Sequence, residues 1–314
     1  MTDFTKLNEF PIEDVYKTIA DLENTNFGST DFGDIKKKVD LLIRCGFMMV
    51  EVPEGKIIYR GRLWDIEKDK VYTSRSEISF PPIAKSGSFS LNRASSNLFQ
   101  VFYGAVGTPD MEAAEVVALT EICHITEDDF PDGTFEYVVI GQWIVKKPFV
   151  VASLGLHSDM AKANQQAQDM LKFHDEACGA LDERGKAVEA VGKFLSREFS
   201  KKVQTEREYM ISAAYGDILF QRGIGGILFP SVKADGKTFN VALRNDLVDD
   251  CLELRVAAIP RSQKFGKQVI VDWYLQSPTI VGGKLKWEEP DTGTISSYER
   301  KIIESRIKAG KPIN

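Results

Sequence analysis

Four short segments of the chain place polar side chains that could bind an anionic ligand at the ends of strand-like stretches. An arginine at the end of a strand presents a planar fork of N–H donors that matches the oxygen atoms of a phosphate. A tyrosine adds a flat ring and a hydroxyl group. Together such residues would suit a nucleotide that contains a diphosphate. The segments are Tyr59-Arg60-Gly61-Arg62, Asn92-Arg93, Tyr103-Gly104-Ala105 leading to Glu115, and Phe229-Pro230-Ser231.

Glu115 is the carboxylate that we expect to contact the same ligand. It lies in the segment DMEAAEVVAL, where helical spacing places it on the same side as Met111 and Leu119. A carboxylate beside an apolar helix face is therefore predicted. Each candidate also has an ordinary structural interpretation. Glu115 could pair with an arginine, the arginines could be solvated or salt-bridged at strand ends, and Tyr103 could be a core residue with a solvated hydroxyl.

Apolar periodicity outlines the elements that must carry these residues. Residues 1–55 are predicted to form a helical N-terminal segment, because Ile35, Val39 and Leu42 recur at helical spacing. Residues 56–260 combine short β-branched and aromatic runs with helical stretches, which predicts a mixed β-sheet core with flanking helices. We expect an α+β fold in a single elaborated domain.

More specific predictions concern the second half of this core and the C-terminal part. The segments EYVVIGQWIV and PFVVASLGL, joined by Lys146-Lys147, are predicted to be paired strands. Residues from about 158 to 215 carry apolar stripes at helical spacing, which predicts a helical insertion of two or three amphipathic helices. Residues 261–314 are predicted to add strands and a helical tail with the sequence SYERKIIESRIKAG.

Composition and absent motifs exclude several classes of function. Lys and Arg total 40 against 46 Asp and Glu, so the net charge of -6 lacks the basic excess of a general nucleic-acid binder. The chain contains no phosphate loop, HExxH zinc helix or GxSxG nucleophile elbow. Its four cysteines form no CxxC pair, which argues against a zinc cluster and a disulfide-stapled scaffold.

The same composition gives expectations about location. The N-terminus lacks the basic and apolar regions of a signal peptide, and no segment approaches the ~20 apolar residues of a membrane span. We therefore expect a cytoplasmic protein that has no membrane contact and no metal at its site.

The order of the four segments resembles the RES domain, a family named for an arginine, a glutamate and a serine. In that family a YRAR strand and a Pro-Pro turn precede a further arginine and a strand ending in tyrosine and small residues. A helix reading PxxAxxE and a strand similar to GIxYPSV follow. The counterparts here run in the same order over roughly residues 56–254. They are Tyr59-Arg60-Gly61-Arg62, Pro81-Pro82, Arg93, Phe102-Tyr103-Gly104-Ala105, Pro109 to Glu115, and Gly226-Ile227-Leu228-Phe229-Pro230-Ser231-Val232.

The resemblance implies an ADP-ribosyltransferase-like fold and an enzyme that uses NAD as its substrate, cleaving the bond between nicotinamide and ribose. The catalytic residues that it implies are Glu115, Tyr103 and Ser231. The NAD-binding residues that it implies are Arg60 or Arg62, Arg93, Tyr103 and Ser231. Water, phosphate and a protein side chain stay open as acceptors of the ADP-ribose group.

The resemblance also implies a biological setting, because many RES-domain proteins are toxins held in check by a helix-turn-helix antitoxin. An antitoxin partner, a protein acceptor of ADP-ribose and a homodimer are therefore further expectations. Two other classes of function stay open. The fold could serve as a catalytically silent nucleotide- or protein-binding module, or the basic runs KKKVDLLIR and SREFSKKVQTER could contact nucleic acid, although such runs are commonly solvated helix faces.

Overall fold

The structure, a computed structural model, combines helices with one large sheet. It describes residues 11–64, 72–80, 90–96, 98–99, 101–107, 118–119, 121–125, 130–154, 165–180, 182–234, 236–266, 268–278 and 280–288. The helices are α1 (Ile12–Glu23), α2 (Phe32–Ile43), α3 (Arg75–Ser79), α4 (Gln165–Gly179), α5 (Asp182–Ser200), α6 (Met210–Gln221) and α7 (Asn245–Cys251), with a 3-10 helix at Glu206–Tyr209. The strands are β1 (Met48–Val52), β2 (Ile57–Trp64), β3 (Leu91–Asn92), β4 (Ser95–Ser96), β5 (Val101–Val106), β6 (Phe135–Val145), β7 (Phe149–Ser153), β8 (Gly226–Pro230), β9 (Phe239–Arg244), β10 (Leu252–Phe265), β11 (Gln268–Ser277), β12 (Ile280–Val281) and β13 (Lys284–Leu285).

The main sheet has the strand order β1-β7-β8-β9-β5-β2-β6-β10-β11 among the described residues. Only the β7–β8 pair within it is parallel. The α+β fold with a mixed sheet, flanking helices and N-terminal helices is therefore confirmed. Strand β10 runs through residue 260, where the predicted core ends, so β10 and β11 extend the same sheet. The expected Pro-Pro turn, the start of the Glu115 helix and the helical tail lie outside the described residues.

The predicted pairing of EYVVIGQWIV with PFVVASLGL is wrong. These segments form β6 and β7, but β6 pairs with β2 and β10 while β7 pairs with β1 and β8. Both edges of β6 are thus already occupied by other strands. Lys146 and Lys147 form part of a connection to a different position in the sheet and not a hairpin turn.

The predicted helices of the region from 158 to 215 are present as α4, α5 and the start of α6. They lie in the connection between β7 and β8, which run parallel with Ala152 opposite Ile227. Parallel neighbours cannot be joined by a tight turn and require a crossover connection. We call residues 165–221 the helical crossover.

Apolar side chains cover both faces of the sheet. On one face α1, α2, α5 and α6 bury residues such as Leu22, Leu42, Phe194 and Ile211 against it. On the other face α3, α4 and α7 pack with a group that includes Trp143. The N-terminal helices therefore share a core with the helical crossover. No helix in the described part of the chain is long and apolar enough to cross a membrane.

Candidate functional site

A pocket of about 350 Å³ lies over four adjacent strands, β8, β9, β5 and β2. Strand register places Tyr59 opposite Ala105, Ala105 opposite Asn240 and Asn240 opposite Phe229. Directly opposed residues project to the same face of a sheet, so these four form a row across the pocket floor. The walls come from other elements. The lining residues are Tyr59, Arg60, Gly61, Asn92, Arg93, Tyr103, Gly104, Ala105, Ala118, Glu121, Ile122, Tyr209, Phe229 and Asn240.

The sheet opens at this pocket because β2 and β5 pair at only two positions, Ile58 with Val106 and Tyr59 with Ala105. Beyond these positions the strands separate, and the side chain of Arg60 enters the gap. Gly104, directly after the last paired position, lets the two backbones lie close together where the separation begins. A Cβ atom there would lie 2.5 Å from Ile58 Cγ2 and 3.2 Å from the Tyr59 carbonyl oxygen.

Arg60 is a buried cation at the gap, with 7% of its surface exposed. Its Nε donates to the Ile78 carbonyl at 3.1 Å and its Nη1 to the Tyr103 carbonyl at 2.8 Å. No carboxylate of the described residues forms an ion pair with it. Burial, together with the nearby charge of Arg62, lowers the pKa of the guanidinium to about 9. Since an arginine stays protonated at neutral pH, the pocket contains a poorly compensated positive charge.

Arg93 lies at the turn of the small β3–β4 hairpin, which α6 holds in place. Gly216 of α6 packs against the Ala94 backbone so closely that a Cβ atom there would lie 1.8 Å from the Ala94 carbonyl oxygen. Asp217 is fully buried and accepts hydrogen bonds from the Ser96 backbone N–H at 3.0 Å and the Ser96 hydroxyl at 2.6 Å. Adjacent residues of α6 therefore fix the position of the arginine.

The guanidinium of Arg93 is held by the helical crossover. Its Nη1 donates to the carbonyls of Phe199 and Lys201, and its Nη2 donates to the Tyr209 hydroxyl at 3.4 Å. The Cζ atom lies 5.2 Å from the centroid of the Tyr209 ring. As with Arg60, no described carboxylate forms an ion pair with Arg93. The pocket therefore presents two arginines whose hydrogen bonds within the described part of the chain go to neutral groups and not to a carboxylate.

Glu121 is the carboxylate that lines this pocket, and sequence reasoning missed it. It lies in the short described helical stretch that contains Ala118, Leu119, Glu121 and Ile122. The Ser231 hydroxyl donates to Glu121 Oε1, and Asn240 Nδ2 donates to the same oxygen at 2.9 Å. Ser231 is fully buried and also accepts from the Ala234 backbone N–H at 3.1 Å. Two neighbouring groups thus orient the carboxylate.

Gly61 on β2 allows the Glu121 stretch to lie against the sheet. A Cβ atom at Gly61 would fall 2.3 Å from Ile122 Cδ1 and 3.4 Å from the Ala118 carbonyl oxygen. The glycine thus accounts for the close approach of Glu121 to the strands. The sequence signal that could have found Glu121 is its position in the same predicted helix as Glu115, between small and apolar residues that suit a packed face.

Tyr103 belongs to the pocket with both its backbone and its side chain. Its carbonyl accepts from Arg60, and its hydroxyl accepts from the Ala94 backbone N–H at 3.2 Å. Burial raises the pKa of this hydroxyl, while hydrogen bonds with Ser95 and Ala94 lower it. The tyrosine therefore connects the floor of the pocket to the hairpin that carries Arg93.

Two further residues were predicted to belong to the site, Arg62 and Glu115. Arg62 is not among the lining residues; it donates to the carbonyls of Glu77 and Phe80, and its Cζ lies 5.3 Å from the Tyr72 ring centroid. Glu115 lies outside the described residues. The structure thus brings Arg60, Arg93 and Tyr103 together, and it brings Ser231 in through Glu121.

Comparison with known proteins gives no independent support for a family assignment. No protein-family model matches the chain, and no curated protein matches it. The resemblance to the RES domain stays a prediction that rests on the quoted motifs.

Proposed function

We propose that the protein is an NAD-consuming enzyme of the ADP-ribosyltransferase-like class that breaks the bond between nicotinamide and ribose. The observation that carries the proposal is the joint placement of two arginines, a tyrosine and an oriented carboxylate around one pocket. These residues come from distant parts of the chain: Arg60, Arg93, Tyr103 and Glu121. Their chemistry suits the diphosphate and ribose of a dinucleotide.

The arginines retain donors for an anion. A guanidinium has five N–H groups. Within the described part of the chain, Arg60 uses Nε and one Nη1 proton, which leaves three donors, two of them on Nη2. Among the same residues, Arg93 uses both Nη1 protons and one Nη2 proton, which leaves Nε and a second Nη2 proton. A diphosphate that accepts these bonds would also pair negative charge directly with both arginines, which no carboxylate of the described residues does.

Glu121 is the residue that we propose to act at the ribose. In the reaction the bond from the ribose C1′ to the nicotinamide nitrogen breaks, and nicotinamide leaves as a neutral ring with the bonding electron pair. The acceptor oxygen or nitrogen forms the new bond to C1′ and loses a proton. A carboxylate beside the ribose can bind a hydroxyl and stabilise the positive charge that develops on the sugar.

The orientation of Glu121 supports this role. Ser231 and Asn240 both donate to Oε1, and no hydrogen bond within the described part of the chain uses Oε2, which can accept from a ligand hydroxyl. Ser231 is thereby a positioning residue for the carboxylate. A toxin activity, an antitoxin partner and a protein acceptor belong to the same proposal, because the RES-domain resemblance implies them.

The experiment is to incubate the purified protein with NAD and to measure free nicotinamide, with Glu121→Gln and Glu115→Gln beside the wild type. Glutamine keeps the shape and removes the charge. We expect Glu121→Gln to lower kcat by at least about 100-fold and to bind NAD nearly as the wild type does.

The two variants separate the two carboxylate assignments. If Glu115→Gln loses activity and Glu121→Gln retains it, the role belongs to the residue that the family resemblance indicated. If the wild type binds NAD and releases no nicotinamide in the presence of water, phosphate or candidate protein acceptors, the protein is a binding module and the enzymatic proposal is wrong.

A further inference from the structure

Tyr209 reaches the pocket from the helical crossover and not from the sheet. It is the last residue of the 3-10 helix Glu206–Tyr209 and lines the pocket beside Arg93. It is partly buried. The motifs quoted for the family resemblance do not include it, and no role has been assigned to it above beyond contact with Arg93.

The hydrogen bond between these residues determines what the tyrosine can still do. Arg93 Nη2 donates to the Tyr209 oxygen, so this oxygen acts as the acceptor. A phenol can accept and donate at the same time. No hydrogen bond among the described residues uses the hydroxyl proton of Tyr209, which lies next to the two donors of Arg93 that those residues leave unused. The three N–H and O–H groups together suit the oxygen atoms of one phosphate.

The 3-10 helix is anchored to the N-terminal helices by Arg207. Its Nε donates to the Phe27 carbonyl at 2.6 Å, and its Nη2 donates to the Thr30 carbonyl at 2.9 Å. Phe27 and Thr30 lie in the loop between α1 and α2. At the start of the same helix, Glu208 accepts from the Thr205 backbone N–H at 3.0 Å. The position of Tyr209 thus depends on a contact with the N-terminal segment.

We propose that Tyr209 is a substrate-binding residue that donates its hydroxyl proton to a phosphate oxygen bound at Arg93. Arg207 is the positioning residue that holds Tyr209 there by binding the α1–α2 loop. The identity of the ligand as a dinucleotide rests on the proposed function. The inference gives the N-terminal helices a role at the pocket that their sequence did not indicate.

The test measures the binding of ADP-ribose, which contains the diphosphate, by calorimetry, and the KM and kcat for NAD. Tyr209→Phe removes only the hydroxyl and should weaken ADP-ribose binding about tenfold, as expected for a lost hydrogen bond to a charged group. KM should rise by a similar factor while kcat changes little. Arg207→Ala should have the same signature, and Arg207→Lys should restore part of the affinity.

Arg197→Ala is the matched control. Arg197 also joins the helical crossover to α1, through an ion pair with Glu23 at 2.7 Å, but it does not line the pocket. Its loss should leave ADP-ribose binding unchanged. A Tyr209→Phe protein with the affinity and KM of the wild type overturns the inference, as does an Arg197→Ala protein that is weakened as much as Arg207→Ala.

The two measurements, ADP-ribose binding and nicotinamide release, distinguish the binding role of Tyr209 from the enzymatic activity. A wild type that binds ADP-ribose through Tyr209 but releases no nicotinamide contradicts the enzymatic proposal and supports the binding role. If the wild type releases nicotinamide and Tyr209→Phe does so with the same KM for NAD, the result supports the enzymatic proposal and contradicts the binding role of Tyr209.

Discussion

Replacing Gly216 with alanine tests how α6 holds the hairpin of Arg93. A Cβ atom at this position would lie 1.8 Å from the Ala94 carbonyl oxygen and 2.7 Å from its carbonyl carbon. Carbon and oxygen atoms in contact are normally separated by about 3.3 Å or more. The helix and the hairpin must therefore move apart by roughly 1.5 Å. The Cβ atom is fixed by the backbone of α6, and the atoms that it meets belong to the backbone of Ala94. No side-chain rotation can therefore relieve the clash.

The expected cost is about 3 kcal/mol of unfolding free energy, at the upper end of the range for overpacked sites. Gly179→Ala is the control, since that glycine ends α4 and a Cβ atom there meets nothing within 4 Å. By helix propensity this second change should be neutral or stabilising by up to about 1 kcal/mol. Urea denaturation of the two variants and the wild type gives both values.

The same displacement should reach the pocket, because Ala94 follows Arg93 directly and its N–H donates to Tyr103. We expect the KM for NAD to rise at least about tenfold in Gly216→Ala, since misplacement by about 1 Å is costly at a binding site. An unfolding free energy equal to that of Gly179→Ala would refute the close contact. A destabilised variant with an unchanged KM would refute the link from this contact to Arg93.

Two further predictions concern Ser231 and the thiols. Ser231→Ala removes a donor to Glu121 and an acceptor for the Ala234 N–H. We therefore expect kcat to fall about tenfold. An unchanged kcat in the nicotinamide assay would contradict the positioning role of Ser231. The cysteines are buried, and burial raises the pKa of Cys45 and Cys178 to about 11 and that of Cys123 to about 12. Thiol reagents at pH 8 should therefore react slowly until the chain unfolds. Because unfolded thiols ionise near pH 8.5, the free energy of unfolding should fall as the pH rises from about 9 through about 12, and a flat alkaline profile would contradict this.

The helices of the N-terminal segment and of the crossover could be predicted because their signal is local. Ile35, Val39 and Leu42 recur at helical spacing, and all three are buried in α2. Strand segments could be found in the same way. Their partners could not, because β6 and β7 adjoin in sequence but take distant strands as neighbours. Hydrogen bonding between strands depends on contacts that periodicity does not encode.

In the candidate site, too, some residues could be predicted from local sequence patterns and others depend on contacts between distant segments. The family resemblance indicated Arg60 or Arg62, together with Arg93 and Tyr103. Of these, Arg60, Arg93 and Tyr103 line one pocket. The resemblance did not indicate Glu121. The side of its helical stretch that faces the pocket is determined by the close contact with Gly61 on strand β2, and the sequence does not show that contact. Tyr209 was invisible for a related reason: it meets Arg93 across 116 residues of sequence.

The parallel pairing of β7 with β8 couples ligand binding to the folding of the chain. Ala152 meets Ile227 only after the intervening residues have closed into a long loop, which is an entropically costly step. Tyr209 and the carbonyls that hold Arg93 lie within that loop, so the pocket is complete only when the loop has docked on the sheet. A ligand bound by both arginines would stabilise the docked state by a free energy that grows with the logarithm of the ratio of ligand concentration to Kd. A change that undocks this loop from the sheet, even far from the pocket, would reduce affinity by the same linkage, whereas loss of an exposed ion pair such as Arg197–Glu23 would not.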